Sequence, residues 1–132
     1  MNIVITGSRE CNNAMCQKIH EITAWAKANN HTILTGDAHG VDVVTRADCR
    51  KLHIPCSVYG AFNRFRLSNM GGHLEDCRFA DYTTRDKFIV DHADLVIAVW
   101  NGKSSGTRLT FQYARVIGKK TIVRTIPDIG GK

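Results

Sequence analysis

The sequence predicts an α/β protein: a Rossmann-like, doubly wound, mainly parallel five-stranded sheet with helices on both faces. Three observations predict it. Short β-branched runs alternate with segments of helical period along the chain. The strongest run, residues 94–100 (DLVIAVW), is apolar from Leu95 to Trp100, as a strand covered on both faces requires. Three of the runs end in loops rich in glycine, hydroxyls or charge that lead into a helix. Strands alternating with helices imply a parallel sheet joined by right-handed crossovers.

Residues 2–6 (NIVIT) form a first strand that stops at Gly7. From about residue 10 to 29, Met15, Ile19, Ile22 and Ala26 recur with the period of an amphipathic helix, and the Asn29-Asn30 pair ends it. Residues 32–35 are a second strand, closed by Gly36. A helix over 41–52 is expected to bury Val41, Val44 and Ala47. Residues 55–59 read as a third, more polar strand near an edge, where Pro55 is tolerated.

Residues 60–82 carry no clear period. A stretch this long without period is expected to be functional or mobile. A short helix over 84–92 turns Phe88 and Ile89 inward, and the central strand 94–100 follows. After the 101–105 loop, a helix over 107–117 carries Leu109, Tyr113 and Ile117 on one face. A strand at 121–126 closes the series, with 127–132 as a loose tail. The order is βαβαβ–loop–αβαβ, and no repeat or linker divides residues 1–132, so one domain is expected.

Composition bounds the partners. With 43% hydrophobic and 23% charged residues the chain is that of a globular protein. Eighteen Lys and Arg against twelve Asp and Glu give a net charge of +6. That balance favours anionic partners, and equally describes a solvated basic surface, since no block of like charge occurs. Five cysteines without a C-x-x-C point to free thiols, with no disulfide framework and no metal site. The N-terminus lacks the pattern of a signal peptide and no run approaches a membrane span, so a cytoplasmic protein without membrane contact is expected.

The chemistry lies in the three strand-to-helix loops: Gly7-Ser8-Arg9, Gly36-Asp37-Ala38-His39-Gly40-Val41-Asp42, and Asn101-Gly102-Lys103-Ser104-Ser105-Gly106-Thr107. In a doubly wound sheet they converge on one edge, where ligands bind. Glycines let a phosphate reach the backbone, helix N-termini favour an anion, and Ser8, Ser104, Ser105 and Thr107 add hydroxyls. Each loop alone also fits ordinary turn and cap chemistry; the three together point to a phosphate-binding cleft. Neither a P-loop nor a G-x-G-x-x-G fingerprint is present.

Four features occur together: GSR after the first strand, G-x-A-x-G-x-D after the second, an Arg-led helix before DLVIAVW, then S-x-G-T. The combination resembles the SLOG superfamily over residues 2–124. That group holds the LONELY GUY phosphoribohydrolases, the DNA-processing protein DprA and small YspA-type domains, to which the likeness is greatest. The resemblance implies a nucleotide or nucleotide-derived ligand, such as a nucleoside phosphate or an ADP-ribose or NAD-related molecule. In the LONELY GUY enzymes an Arg and a Glu form the functional pair. Arg85 stands at the Arg position, nine residues before Asp94, and Thr110 stands where the Glu would be.

A threonine cannot activate water or steady an oxocarbenium-like charge as a carboxylate does. The reading is therefore a binding module (sensor, carrier or sequestering protein), with no cofactor expected. An N-glycosidase on nucleoside 5′-monophosphates is the alternative; Arg85 and Asp42 are its catalytic candidates, and Asp37 or Asp86 could also supply a carboxylate. The expected ligand-binding residues are Gly7, Ser8, Arg9, Gly36, Asp37, Gly40, Asp42, Arg85, Trp100, Asn101, Ser104, Ser105, Gly106 and Thr107.

Several of these have a plainer reading. Asp42 fits helix-dipole chemistry, and Arg85 fits an exposed helix start, where a cation is slightly unfavourable. Trp100 suits a base stack or the core. Phe62, Arg64, Phe65 and Arg66 interleave rings with charge, as in single-stranded DNA binding, a lid or a subunit contact. The resemblance also implies a homo-oligomer.

Overall fold

The computed structural model describes residues 1–67 and 71–127. The chain runs β1 (Asn2–Gly7), α1 (Asn13–Ala28), β2 (Thr32–Gly36), α2 (Val41–Leu52), β3 (Cys56–Ala61), β4 (Leu74–Phe79), α3 (Tyr82–Asp91), β5 (Leu95–Trp100), α4 (Ser105–Val116) and β6 (Lys120–Thr125). The six strands form one sheet in the order β4-β3-β2-β1-β5-β6, and every pairing is parallel. The Rossmann-like doubly wound class therefore holds, with six strands instead of five. The strand order reverses direction between β1 and β5, which makes that point the topological switch where such sheets bind ligands.

Strand alternation sorts the core into two layers. Ile3, Ile5, Ile97 and Val99 meet α1 and α2 through Met15, Ile19, Ala26 and Val41. Val4, Leu34 and Val96 face the other way, toward Ile89 and Val90 of α3 and Ala114 of α4. Local signals set the helix ends: α2 has the expected bounds, whereas α1 begins at Asn13 and not near residue 10, and α3 and α4 begin two residues early, at Tyr82 and Ser105. Asn12 caps α1 by accepting from the Met15 N–H at 2.9 Å, and Asp81 caps α3 from Thr84 at 2.7 Å. At the far end of α1, Asn29 is the cap and Asn30 takes a left-handed φ of 58°.

The sixth strand, β4, lies inside the 60–82 segment that shows no period. It is an edge strand with one neighbour, and Leu74, Glu75 and Arg78 are exposed. With little to bury, its composition (LEDCRF) carries no alternation to read. Residues 68–70 of that segment lie outside the described residues, as do residues 128–132 of the expected tail.

Two helix faces differ from expectation. In α2, Val41 is buried and Val44 half-buried, but Ala47 is exposed. Thr45, Arg46, Asp48 and Cys49 take the inner positions: Asp48 accepts from Thr23 Oγ1 at 2.8 Å, Arg46 donates to the Gly36 carbonyl at 2.9 Å, and Cys49 joins the apolar core. In α4 the inner face is Thr107, Thr110, Phe111 and Ala114. Leu109 and Ile117 point outward and Tyr113 lies at the boundary, so the face read from their spacing is an open one. Among the described residues no helix is long and apolar enough to cross a membrane.

Candidate functional site

A cleft of about 700 Å³, counting the solvent at its mouth, opens at the carboxyl ends of the central strands. Eight of the residues expected at the site line it: Gly7, Arg9, Gly36, Asp42, Arg85, Ser104, Gly106 and Thr107. Val4, Ile5 and Ile89 form its apolar floor, and Arg66, Tyr82, Asp86 and Thr110 complete its walls.

Six expected residues brace the cleft without lining it. Ser8 is buried, and its Oγ accepts from the Asn101 N–H at 3.0 Å, which ties the first loop to the third. Asn101 Oδ1 accepts from the N–H groups of Lys103 and Ser104 at 2.8 and 2.9 Å, turning the chain into α4. Trp100 donates from Nε1 to the Ser104 carbonyl at 2.9 Å and packs edge-on against Phe111, which leaves it outside the cleft wall. Gly40, at φ +78°, presses against the Ser8 and Arg9 backbone where a Cβ would have no room. Ser105 is exposed beside the mouth, and Asp37 lies beneath the wall.

Asp37 is fully buried and organises the charges. Its Oδ1 accepts from Arg66 Nε and Nη2 at 2.9 and 2.6 Å and from Arg85 Nη1 at 3.1 Å. Its Oδ2 accepts from the Arg66 main-chain N–H at 2.8 Å. Burial alone would raise this carboxyl, but the Arg66 hydrogen bonds and the charges of Arg66 and Arg85 outweigh it and hold Asp37 below the ordinary carboxylate range.

Arg85 emerges from α3 almost fully buried. Besides Asp37, it donates from Nη1 to the Tyr59 carbonyl at 2.7 Å and from Nε to Asp86 Oδ1 at 2.7 Å. Burial opposes its charge, yet Asp86, Asp42 and Asp37 more than compensate and keep it protonated. The mild misfit of a cation at a helix start is thus met by the protein's own carboxylates.

Asp42 stands across the end of β2 from Arg85. It accepts from Thr35 Oγ1 at 3.2 Å and from the Ala38 N–H at 3.1 Å, and burial outweighs Arg85 to push its carboxyl up. A Cβ on Gly36 would lie 2.7 Å from both Arg85 Nη1 and Asp42 Oδ2, so only glycine admits the pair here. Arg46 closes the network from behind, donating to the Gly36 carbonyl at 2.9 Å.

On the β5 side, α4 begins at Ser104 without a side-chain cap hydrogen bond and without an acid in its first turn. The Ser104 and Thr107 hydroxyls lie 3.2 Å apart at this end, and a Cβ on Gly106 would meet nothing within 4 Å. The first-turn amides thus present an uncapped, positively polarised helix end to the cleft. Asp86 borders it, half-buried, with Oδ2 accepting from Thr110 Oγ1 at 3.4 Å. Burial raises this carboxyl despite the neighbouring Arg85.

Sequence reasoning missed Tyr82 altogether and did not place Arg66 or single out Asp86. The alternation of rings and charges over 62–66 was the available signal for Arg66, but it does not say which side chains turn inward. Phe65 packs toward the core and Arg66 enters the cleft, while Phe62 remains exposed. Among the described residues no group of three His, Cys, Asp or Glu could hold a metal ion.

Among solved structures, the chain is similar to the X-ray structure of TM1055, a Northeast Structural Genomics Consortium target. The match has a TM-score of 0.72 at 16% identity and covers 91% of this chain and 71% of that one. At that identity the likeness shows the fold. No family model and no curated protein matches the chain.

Proposed function

We propose that this protein binds a nucleoside phosphate or a related nucleotide derivative, as a sensor, carrier or sequestering module of the SLOG type. One observation carries the reading: the uncapped first turn of α4 shares a cleft at the sheet's switch point with Arg9, while the protein's own carboxylates balance Arg66 and Arg85. Anions favour both features. Asp42 supplies an acceptor for a sugar hydroxyl. The test is a thermal-shift panel of nucleoside mono-, di- and triphosphates, ADP-ribose and NAD, followed by mass spectrometry of each mixture. A rise in melting temperature with the ligand recovered intact is expected; no rise with any of them would sink the reading.

A second reading, hydrolysis of the N-glycosidic bond, draws on Asp86. From α3 its carboxylate meets Thr110, the position where the resembling enzymes carry their Glu on the following helix. Burial raises its proton affinity, the direction that general acid–base work by a carboxyl requires. Asp86→Asn separates the readings: under hydrolysis, base release from a nucleoside 5′-monophosphate falls at least a hundredfold while the ligand still binds. A wild-type protein that binds the nucleotide and releases no base leaves the binding module alone standing. A single-stranded DNA ligand is the third reading: of the four residues behind it, Phe62 and Arg64 are exposed, Arg66 lines the cleft and Phe65 packs toward the core.

A further inference from the structure

We propose that Arg66, stacked on Tyr82, is a platform for the flat ring of the ligand's base, so that the cleft selects nucleosides over bare sugar phosphates. The inference rests on the nucleotide reading above and names how the non-phosphate part of the ligand is held.

The chain goes to some cost to deliver Arg66. After β3 it reverses in a tight turn, with the Arg64 N–H donating to the Ala61 carbonyl at 3.2 Å and both central residues, Phe62 and Asn63, at φ 58°. The left-handed region is unfavourable for a phenylalanine, and such strain persists only where surrounding contacts impose it. Here the Phe62 and Asn63 N–H groups bond to the Phe79 and Cys77 carbonyls of β4, both at 2.9 Å. The turn sends Arg66 back over the carboxyl end of the sheet.

Once there, Arg66 is fixed. Its main-chain N–H, Nε and Nη2 all donate to the buried Asp37, so both the position and the plane of the guanidinium are set. One side is covered, since Cζ lies 3.9 Å from the Tyr82 ring centre and Phe62 braces that ring edge-on at 5.3 Å. The side chain is 21% exposed and forms part of the cleft wall.

Two roles compete for such a group. A phosphate clamp needs free donors and unbalanced charge, whereas Arg66 has given Nε and Nη2 to Asp37, which balances its charge. What it still offers is a rigid, planar, weakly hydrated surface, the property that lets guanidinium groups stack on rings and bases. Phosphate is better served by Arg9 and the α4 turn, which lies across β1 and β2 from this wall. The base then rests on the β3 side and the phosphate on the β5 side.

Titration calorimetry with adenosine 5′-monophosphate and ribose 5-phosphate tests the assignment. The wild-type protein is expected to bind the nucleotide at least tenfold more tightly. Arg66→Lys keeps the charge and removes the plane; it should weaken the nucleotide about tenfold, the scale of one lost base stack, and change ribose 5-phosphate less than twofold. Tyr82→Leu leaves the Asp37 bonds in place and should give the same selective loss, which covers the case that Arg66→Lys does not fold. Equal losses for both probes would overturn the platform and make Arg66 a phosphate ligand. Equal wild-type affinities would also overturn it while leaving the nucleotide site intact. A wild-type protein that binds neither probe overturns the nucleotide reading, and the platform with it.

Discussion

Two guanidinium groups reach the single carboxylate of Asp37, and the sign of its proton affinity follows from that. The folded protein holds Asp37 below its ordinary value near 3.8, so the unfolded chain takes up its proton first as pH falls. The stability this residue confers is complete above that ordinary value and is lost as pH drops through the folded one. Asp37→Asn should cost about 3–5 kcal/mol at neutral pH, since it takes the carboxylate from Arg66 and leaves the buried Arg85 with Asp86 as its ion-pair partner. In denaturant titrations the gap between wild type and variant should close in strong acid; a gap independent of pH would remove Asp37 as the ionised hub. Asp42 was legible in G-x-A-x-G-x-D, because the spacing fixes a loop and a helix start; Asp37 fills an unspecified position of that motif, and its part as a buried hub was not legible. Arg66 was not legible. Its place depends on a turn whose two left-handed positions are occupied by Phe62 and Asn63 with no glycine to announce them.

At the scale of elements, what the sequence revealed tracks what each element buries. β1, β2 and β5 are covered on both faces and read as apolar runs. β4 has one neighbour and little to cover, so no pattern marked it. The helix α4 shows the opposite problem, apolar residues on two faces. Phe111 and Ala114 serve the core, whereas Leu109, Val116 and Ile117 stay 61%, 83% and 39% exposed. Leu109 and Val116 are two turns apart, on the same side of the helix. If the protein self-associates, this stripe is the face to disrupt. Leu109→Lys with Val116→Lys should bring the mass seen by light scattering down to that of one chain and leave the melting temperature of the isolated chain within a few degrees. A double variant with wild-type mass would move any interface elsewhere, and a monomeric wild type would end the idea.

Across the whole molecule, the cleft draws its walls from both sides of the switch point: the loops after β1 and β2, the turn after β3, and α3 and α4. A ligand held there stabilises every element that contributes a wall, because only the folded chain assembles them. At a hundred times its dissociation constant it should add about 2.7 kcal/mol to the unfolding free energy. Gly106 allows this to be separated from effects on the fold. An added Cβ there meets nothing within 4 Å, and glycine is a poorer helix residue than valine, so Gly106→Val should leave the free protein as stable as wild type or about 0.3 kcal/mol more so. The same side chain would stand over the α4 amides where the phosphate is proposed to bind. The free variant should therefore melt at or above the wild-type temperature, and most of its ligand-induced shift should vanish. If the full shift survives, the phosphate does not lie on α4. If the free variant itself is strongly destabilised, Gly106 belongs to the fold and not to the ligand.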